Sequence, residues 1–221
     1  FNGEIYNFRE LRRELEQAGF TFRTNGDTEV ILAAWQRWGV NCLQHLQGMF
    51  AFALYDNQTG EVFCARDRFG EKPLVYTSTN TAFTFASEIK ALHPFGLLKS
   101  INKKSLTHFF QYSYIPEPNS IFEGVQKLLP GHLIEIKNGV ISIEKYYEYY
   151  PSKVNYSGSY EKAQEGLHKL LTDAVEKRLI SDVPIGSFLS GGVDSSIVSL
   201  LASRHSPNLH TFSLGFKDEP Y

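Results

Sequence analysis

One short segment constrains the fold of this chain more than any other: residues 188–196, with the sequence F-L-S-G-G-V-D-S-S. An apolar run at 183–189 leads into it, and a helical pattern at 194–204 follows it. The apolar run predicts a buried strand, and the glycine pair predicts a turn between that strand and a helix. A second apolar run at 209–215 completes a strand–turn–helix–strand unit, which predicts a parallel sheet.

The chemistry of this loop suits an anion. Glycine lets a backbone approach a ligand closely, and the free N–H groups and dipole at the start of a helix favour negative charge. The loop lacks the lysine of G-x-x-x-x-G-K-[ST] and does not match G-x-G-x-x-G, so those two phosphate-binding patterns are excluded. A phosphate or pyrophosphate site is the functional interpretation, and a plain turn capped by Ser or Asp is the structural alternative.

The loop resembles the S-G-G-x-D-S motif of the ATP pyrophosphatase, or PP-loop, family, whose members release pyrophosphate and adenylate a substrate. The resemblance implies that six residues hold pyrophosphate: Ser190, Gly191, Gly192, Asp194, Ser195 and Ser196. It also makes Asp194 a candidate Mg²⁺ ligand. Leu189 and Leu214 would contact adenine, and packing in a core is the alternative for both leucines.

The first 150 residues show a different pattern, in which two helices precede a series of strands. The helices are predicted at 8–18 and 28–38, each followed by a glycine. Strands are predicted at 49–55, 61–66, 74–76, 82–86, 133–136 and 140–146, with a further helix at 105–112. This order predicts a layered α+β domain at 1–150. The polar stretch 151–159 is interpreted as a linker, and a second domain at 160–221 opens with a helix at 160–179.

Composition narrows the classes of function. The chain has 221 residues and a net charge of −2, without the basic excess of a nucleic-acid-binding protein. No apolar run approaches the length needed to cross a membrane. Cys42 and Cys64 are too few for a disulfide framework, so we expect two buried thiols in a reducing, cytoplasmic compartment.

The N-terminal half carries five motifs in order: F-N-G-E-I-Y at 1–6, N-G-D-T-E-V-I at 25–31, L-Q-G-M-F-A-F-A at 46–53, R-D-R-F-G-E-K-P-L at 66–74 and F-A-S-E-I-K-A-L at 85–92. The series resembles the glutaminase domain of the asparagine synthetases, which are N-terminal-nucleophile amidotransferases. With the S-G-G-V-D-S loop, the resemblance covers essentially the whole chain. It implies an αββα sandwich without its N-terminal strands, followed by the start of an α/β domain of the PP-loop type.

The family's chemistry implies roles for four residues. An N-terminal Cys thiolate attacks the glutamine amide, and the side-chain amide of Asn2 and the backbone N–H of Gly3 stabilise the oxyanion. Asn2, Glu4 and Asp27 would bind glutamine, with both carboxylates facing its α-amino group. Two carboxylates repel unless a cation lies between them, so this assignment predicts that Glu4 and Asp27 meet at one site. The alternatives are that Asp27 caps a helix and that Glu4 is a solvated charge.

Two further expectations concern residues outside these roles. Arg66, Asp67 and Arg68 are candidates for catalysis, but we prefer an ion pair, buried or between domains, that fixes the turn at Gly70. The resemblance places the nucleophilic Cys before Phe1 and the aspartate-binding elements after Tyr221. Neither Cys42 nor Cys64 has a free α-amine to replace that nucleophile. This stretch alone is therefore expected to be inactive in both half-reactions.

The parent enzyme would hydrolyse glutamine to ammonia, adenylate a carboxylate with ATP and Mg²⁺, and let ammonia displace AMP. The family's default acceptor is L-aspartate, which gives asparagine. A sugar-acid acceptor in polysaccharide biosynthesis stays open, because R-D-R-F-G-E-K-P-L and Y-I-P-E-P-N-S resemble members from such clusters. Closure of a β-lactam ring is disfavoured, because the glutaminase residues are retained. A truncated paralogue that only binds nucleotide or a partner is the non-enzymatic alternative, and a homodimer is one assembly that the family allows.

Overall fold

The computed structural model describes residues 1–79, 81–149 and 156–215. The chain divides into two compact units, Phe1–Tyr150 and Pro151–Tyr221. Most of the predicted linker, 151–155, lies outside the described residues. None of the described helices has the length and apolar character needed to cross a membrane.

The described part of the first unit contains four α-helices and eight strands. The helices are α1 (Phe8–Gln17), α2 (Thr28–Trp38), α3 (Cys42–His45) and α4 (Lys103–Tyr112). The strands are β1 (Asn2–Ile5), β2 (Gly48–Tyr55), β3 (Val62–Arg66), β4 (Val75–Ser78), β5 (Phe83–Ala86), β6 (Gln126–Lys127), β7 (His132–Lys137) and β8 (Val140–Lys145). The helices predicted at 8–18 and 28–38 are confirmed to within one residue, whereas the sequence patterns missed α3 and β6.

Two antiparallel sheets form the middle of the unit. One has the strand order β1-β2-β3-β7-β8 and the other the order β5-β4-β6. One apolar core packs α1, α2 and α3 against the five-stranded sheet, with Leu15, Val30 and Phe50 almost fully buried. A second core, which includes Cys64 and Ile134, contains side chains from both sheets. The order of layers is therefore helices, sheet, sheet.

A 3-10 helix packs on the three-stranded sheet. The apolar cluster of Val75, Leu92 and Val125 brings this helix, Ile89–Phe95, to the sheet. Pro94 lies inside this element and cannot donate the backbone hydrogen bond that an α-helix requires.

A buried polar cluster fixes the turn after β3. The Arg66 guanidinium forms an ion pair with Glu117 at 2.9 Å and donates to the carbonyls of Gly70, Lys72 and Leu128. The Asp67 carboxylate accepts from the backbone N–H groups of Phe50, Phe69, Glu71 and Lys72. The preferred interpretation of an ion pair that fixes this turn is confirmed, and the partner of Arg66 is Glu117.

The second unit contains α5 (Tyr160–Lys177), β9 (Gly186–Phe188), α6 (Val193–His205) and β10 (His210–Phe212) in its described part. Strands β9 and β10 pair in parallel, which confirms the strand–turn–helix–strand unit. The prediction of a buried strand at 183–189 is wrong, because β9 has three residues and Phe188 is 85% exposed. The described residues supply two strands to this sheet, too few to cover an apolar strand on both faces.

Candidate functional site

The open edge of β1 is the centre of the N-terminal site. Among the described strands, β1 pairs only with β2, in the register Gly3↔Phe50 and Ile5↔Gly48. The Tyr6 N–H donates to the Gln47 carbonyl on the β2 side. Because N–H directions alternate along an antiparallel strand, the N–H groups of Gly3 and Ile5 point away from β2. Backbone donors are therefore presented along this edge.

Asp27 lies at that edge through a contact that its own helix does not explain. Its carboxylate accepts the Ile5 N–H at 3.0 Å, across 22 residues of sequence. Asp27 occupies the position before α2, yet its side chain makes no capping hydrogen bond to the described helix. The capping alternative for Asp27 is therefore wrong: the side chain turns from the helix to β1. Glu4, the residue before Ile5, has an exposed side chain.

The pairing of β1 with β2 leaves no room for a side chain at two glycines. A Cβ atom on Gly3, whose φ is +152°, would lie 2.1 Å from the Met49 carbonyl oxygen. A Cβ atom on Gly48 would lie 2.1 Å from the Glu4 carbonyl oxygen. Side chains at either position would separate the strands and displace the open edge. Gly48 was missed from sequence because its own backbone gives no turn signal; only the approach of β1 reveals its role.

Asn2 lines an open cavity of ≈ 320 Å³. The lining also includes Ala51 of β2, Leu74 and Ala86. Asn2 and Glu4 share one face of β1, since side chains alternate along a strand, while Ile5 lies in the helix-side core. Asp27 thus contacts the strand that carries Asn2, Gly3 and Glu4, and its contact is with the Ile5 N–H at the open edge.

The two cysteines are placed as expected. Cys42 and Cys64 are both fully buried and unpaired. Burial raises the pKa of each thiol to about 12, because a thiolate loses solvation in an apolar core. Neither is a nucleophile at neutral pH.

In the second unit, the S-G-G loop connects β9 to α6 as the sequence predicted. Gly191 has a φ of +84°, a conformation that glycine adopts without strain, and Gly192 precedes α6. The hydroxyls of Ser195 and Ser196 donate to the Gly192 carbonyl, and Ser190 and Ser195 lie 3.0 Å apart through their Oγ atoms. The segment is a compact turn at a helix start, with its backbone held by its own side chains.

The two leucines beside this loop differ in exposure. Leu214 is 84% exposed in this chain, whereas Leu189 is half-buried and its N–H donates to the Phe212 carbonyl. A contact of either leucine with adenine stays a prediction. Asp194 is exposed in the first turn of α6. Within the described ranges, no group of three or more His, Cys, Asp or Glu side chains is arranged to hold a metal ion.

Comparison with known protein families gives one match for each of the two units. The model of the glutamine amidotransferase domain matches residues 1–147, and the asparagine synthase model matches residues 166–221. The putative glutamine-hydrolysing asparagine synthetase of Mycobacterium tuberculosis is 41% identical over 230 residues, covering 100% of this chain and 35% of that protein. Asparagine synthetase 1 of Bacillus subtilis is 39% identical over 225 residues. This match also covers 100% of this chain and 35% of that protein. The chain spans about a third of the length of these relatives.

Among solved structures, the glutamine phosphoribosylpyrophosphate amidotransferase of Bacillus subtilis superposes with a TM-score of 0.50 at 17% identity. The match covers 96% of this chain and 44% of that one, and it supports the N-terminal-nucleophile amidotransferase fold. Sequence identity across the full chain carries the closer assignment. The chain belongs to the family of glutamine-hydrolysing asparagine synthetases.

Proposed function

We propose that this chain forms part of a glutamine-dependent, ATP-dependent amidotransferase that makes asparagine from L-aspartate. Its first unit contributes to glutamine hydrolysis, and its second unit contributes to activation of the acceptor carboxylate. The names of the relatives support this reaction. The observation that carries the proposal is the edge of β1, where the Asp27 carboxylate contacts the Ile5 N–H beside Glu4 and the outward N–H of Gly3.

Each group at this edge has a distinct task in glutamine hydrolysis. Glu4 and Asp27 supply two negative charges for the α-ammonium group of glutamine, which is the complement that an ammonium requires. The Asn2 amide and the Gly3 N–H stabilise the oxyanion that forms when a nucleophile attacks the side-chain carbonyl. The close approach of Gly3 to Met49, and of Gly48 to Glu4, holds the Gly3 N–H in place before the reaction begins. Preorganised donors are effective because they need no rearrangement as charge develops.

The second unit would bind the phosphates of ATP through the loop at 189–196. ATP, with Mg²⁺, supplies the adenylyl group that activates the acceptor carboxylate. The loop residues fit such a ligand: apart from Gly191 and its two chain neighbours, no described residue has an atom within 4 Å of a Cβ placed on Gly191, and the α6 N-terminus carries free backbone donors. Ser190, Ser195 and Ser196 would add hydroxyl donors, and Asp194 would take a Mg²⁺ position shared with phosphate oxygens.

The test compares two activities of the full-length protein. Asn2→Ala should slow glutamine-dependent synthesis about 10²–10³-fold, the usual cost of one oxyanion donor, and leave ammonia-dependent synthesis unchanged. Asn57→Ala, in the exposed turn after β2, is the matched control and should change neither rate. If Asn2→Ala lowers both activities equally, Asn2 stabilises the fold and the assigned role is wrong.

The acceptor is tested with the same protein. Pyrophosphate release should depend on L-aspartate, and Asp194→Asn should reduce it while glutamine hydrolysis persists. Release that depends on a sugar acid and not on aspartate would replace the acceptor. The absence of any nucleotide cleavage, in a protein that still binds ATP, would favour a non-catalytic paralogue.

A further inference from the structure

Asp27 reaches β1 from a ten-residue connection between α1 and α2, and this connection has two side chains bound to it. Arg12 extends from α1, and its guanidinium donates to the carbonyls of Thr24 at 2.7 Å and Gly26 at 2.9 Å. It also lies over the Phe22 ring, 4.5 Å from the centroid. A guanidinium is a rigid planar fork, so its two bonds fix the spacing and direction of both carbonyls.

Glu29 holds the same connection from the other side. Its carboxylate accepts from the backbone N–H of Thr24 at 2.7 Å, from the Thr24 hydroxyl at 2.8 Å and from the Arg23 N–H. The Thr24 backbone bond, followed by the bond from its hydroxyl, holds the pKa of Glu29 below its ordinary value, so the acceptor stays ionised at neutral pH. Thr24 thus has its carbonyl bound by α1 and its N–H bound by α2.

We propose that Arg12 and Glu29 are positioning residues for glutamine: they clamp residues 23–26 so that the Asp27 carboxylate stands at the open edge of β1. The proposal rests on the proposed role of Asp27 in glutamine binding. The last bond of the clamp, from Arg12 to the Gly26 carbonyl, ends on the peptide unit directly before Asp27. The geometry of Asp27 is therefore set from both flanks, by this bond and by the start of α2 behind it.

The exposed position of these contacts indicates that they do more than stabilise the fold. These hydrogen bonds lie in exposed surroundings outside the apolar cores, where a single hydrogen bond contributes little to stability. Their loss should therefore release the loop without unfolding the unit. Since Asp27 would bind the α-amino group of glutamine in ground state and transition state alike, the expected effect falls on KM and not on kcat.

The experiment uses Arg12→Gln and Glu29→Gln in the full-length protein, with Arg13→Gln as the matched control on the exposed face of the same helix. Each clamp variant should raise the KM for glutamine about three- to tenfold, with kcat and ammonia-dependent synthesis unchanged. Arg12→Lys should restore only part of the loss, because an ammonium cannot span two carbonyls as a fork does. Arg13→Gln should leave KM unchanged.

A second measurement does not depend on activity. Hydrogen exchange of the Ile5 amide, followed by mass spectrometry of the peptide over residues 1–7, should be faster in both clamp variants than in Arg13→Gln, because the bond to Asp27 opens more often. Asp27→Asn serves as the reference. If Asp27→Asn raises KM but the clamp variants change neither KM nor exchange, the clamp is refuted and the proposed function stands. If Asp27→Asn itself leaves KM unchanged, the assignment of Asp27 to glutamine fails.

Discussion

The two units form their candidate sites in opposite ways. In the second unit, the loop at 189–196 is built from consecutive residues, and its serines bond to a carbonyl of the same turn. In the first unit, Asp27 meets β1 across 22 residues, and Gly48 of another strand sets how closely β1 is held. A local site keeps its shape with little support, whereas a site assembled from distant segments depends on the packing of its whole domain.

The packing of the units matches this difference. Among the described residues, the first unit has three clusters of buried apolar side chains, and many of its core residues are almost fully buried. The described part of the second unit has one small cluster, with Val175, Leu201 and Ala202 as its buried members, while Phe188 and Phe212 are exposed. Apolar burial supplies most of the free energy of folding, so the first unit should be the more stable.

The largest effect is expected from Arg66→Met in the 221-residue chain. The change would leave the Glu117 carboxylate and three carbonyls without their buried partner, at a cost of about 3–5 kcal/mol in the free energy of unfolding. Both tryptophans lie in α2, so tryptophan fluorescence during urea unfolding reports the first unit alone. Arg13→Met, on the exposed face of α1, should change the midpoint little. Equal loss in the two variants would contradict the buried cluster.

Two glycine-to-alanine substitutions, one in each unit, test the difference in packing between the units with the same chemical change. Gly48→Ala would place a Cβ against the Glu4 carbonyl and should destabilise the first unit by about 1–3 kcal/mol. Gly166→Ala lies in α5, where the added Cβ would meet no described atom within 4 Å beyond its chain neighbours and the nearby backbone of its own helix. It should stabilise the second unit by about 0.5–1 kcal/mol. Urea unfolding followed by tryptophan fluorescence reports the first unit, and comparison with circular dichroism, which reports both units, reveals the change in the second. Tolerance of Gly48→Ala would show that β1 and β2 are not held closely.

The smallest expected change is in thiol reactivity. With a pKa of about 12, each buried thiol is ionised in only about one molecule in 10,000 at pH 8. Iodoacetamide should therefore leave Cys42 and Cys64 unlabelled in the native chain, and labelling should rise in urea together with the change in tryptophan fluorescence. Labelling that precedes this change would mean that one core opens before the unit unfolds.

Much of this organisation was predictable from sequence. Periodicity located α1 and α2, because their buried aliphatic side chains recur at helical spacing between polar and charged residues. The glycine loop was also predictable, because a strand, a turn and a helix are adjacent there. Burial in the second unit was not, since an apolar run such as 183–189 does not indicate how many neighbouring strands cover it.

The tertiary contacts of the first site were predictable only through resemblance. Nothing in the periodicity near Asp27 indicates that its side chain leaves its own helix for the Ile5 N–H. Glu117 as the partner of Arg66 is a contact over 51 residues, which no local pattern encodes. The clamp of Arg12 and Glu29 is likewise not encoded in a local pattern, because in the sequence both residues look like ordinary solvated charges on helices.

Glu4 and Asp27 are proposed to bind the α-ammonium group of glutamine. Their role is tested by comparing kcat/KM for glutamine with kcat/KM for 4-carbamoylbutanoate, which is glutamine without its α-amino group, in the full-length protein and in Glu4→Gln, Asp27→Asn and the double variant. The parent protein should strongly prefer glutamine, each single change should reduce this preference, and the double variant should nearly abolish it. A double variant that retains the parent preference for glutamine would show that the two carboxylates do not bind the ammonium group.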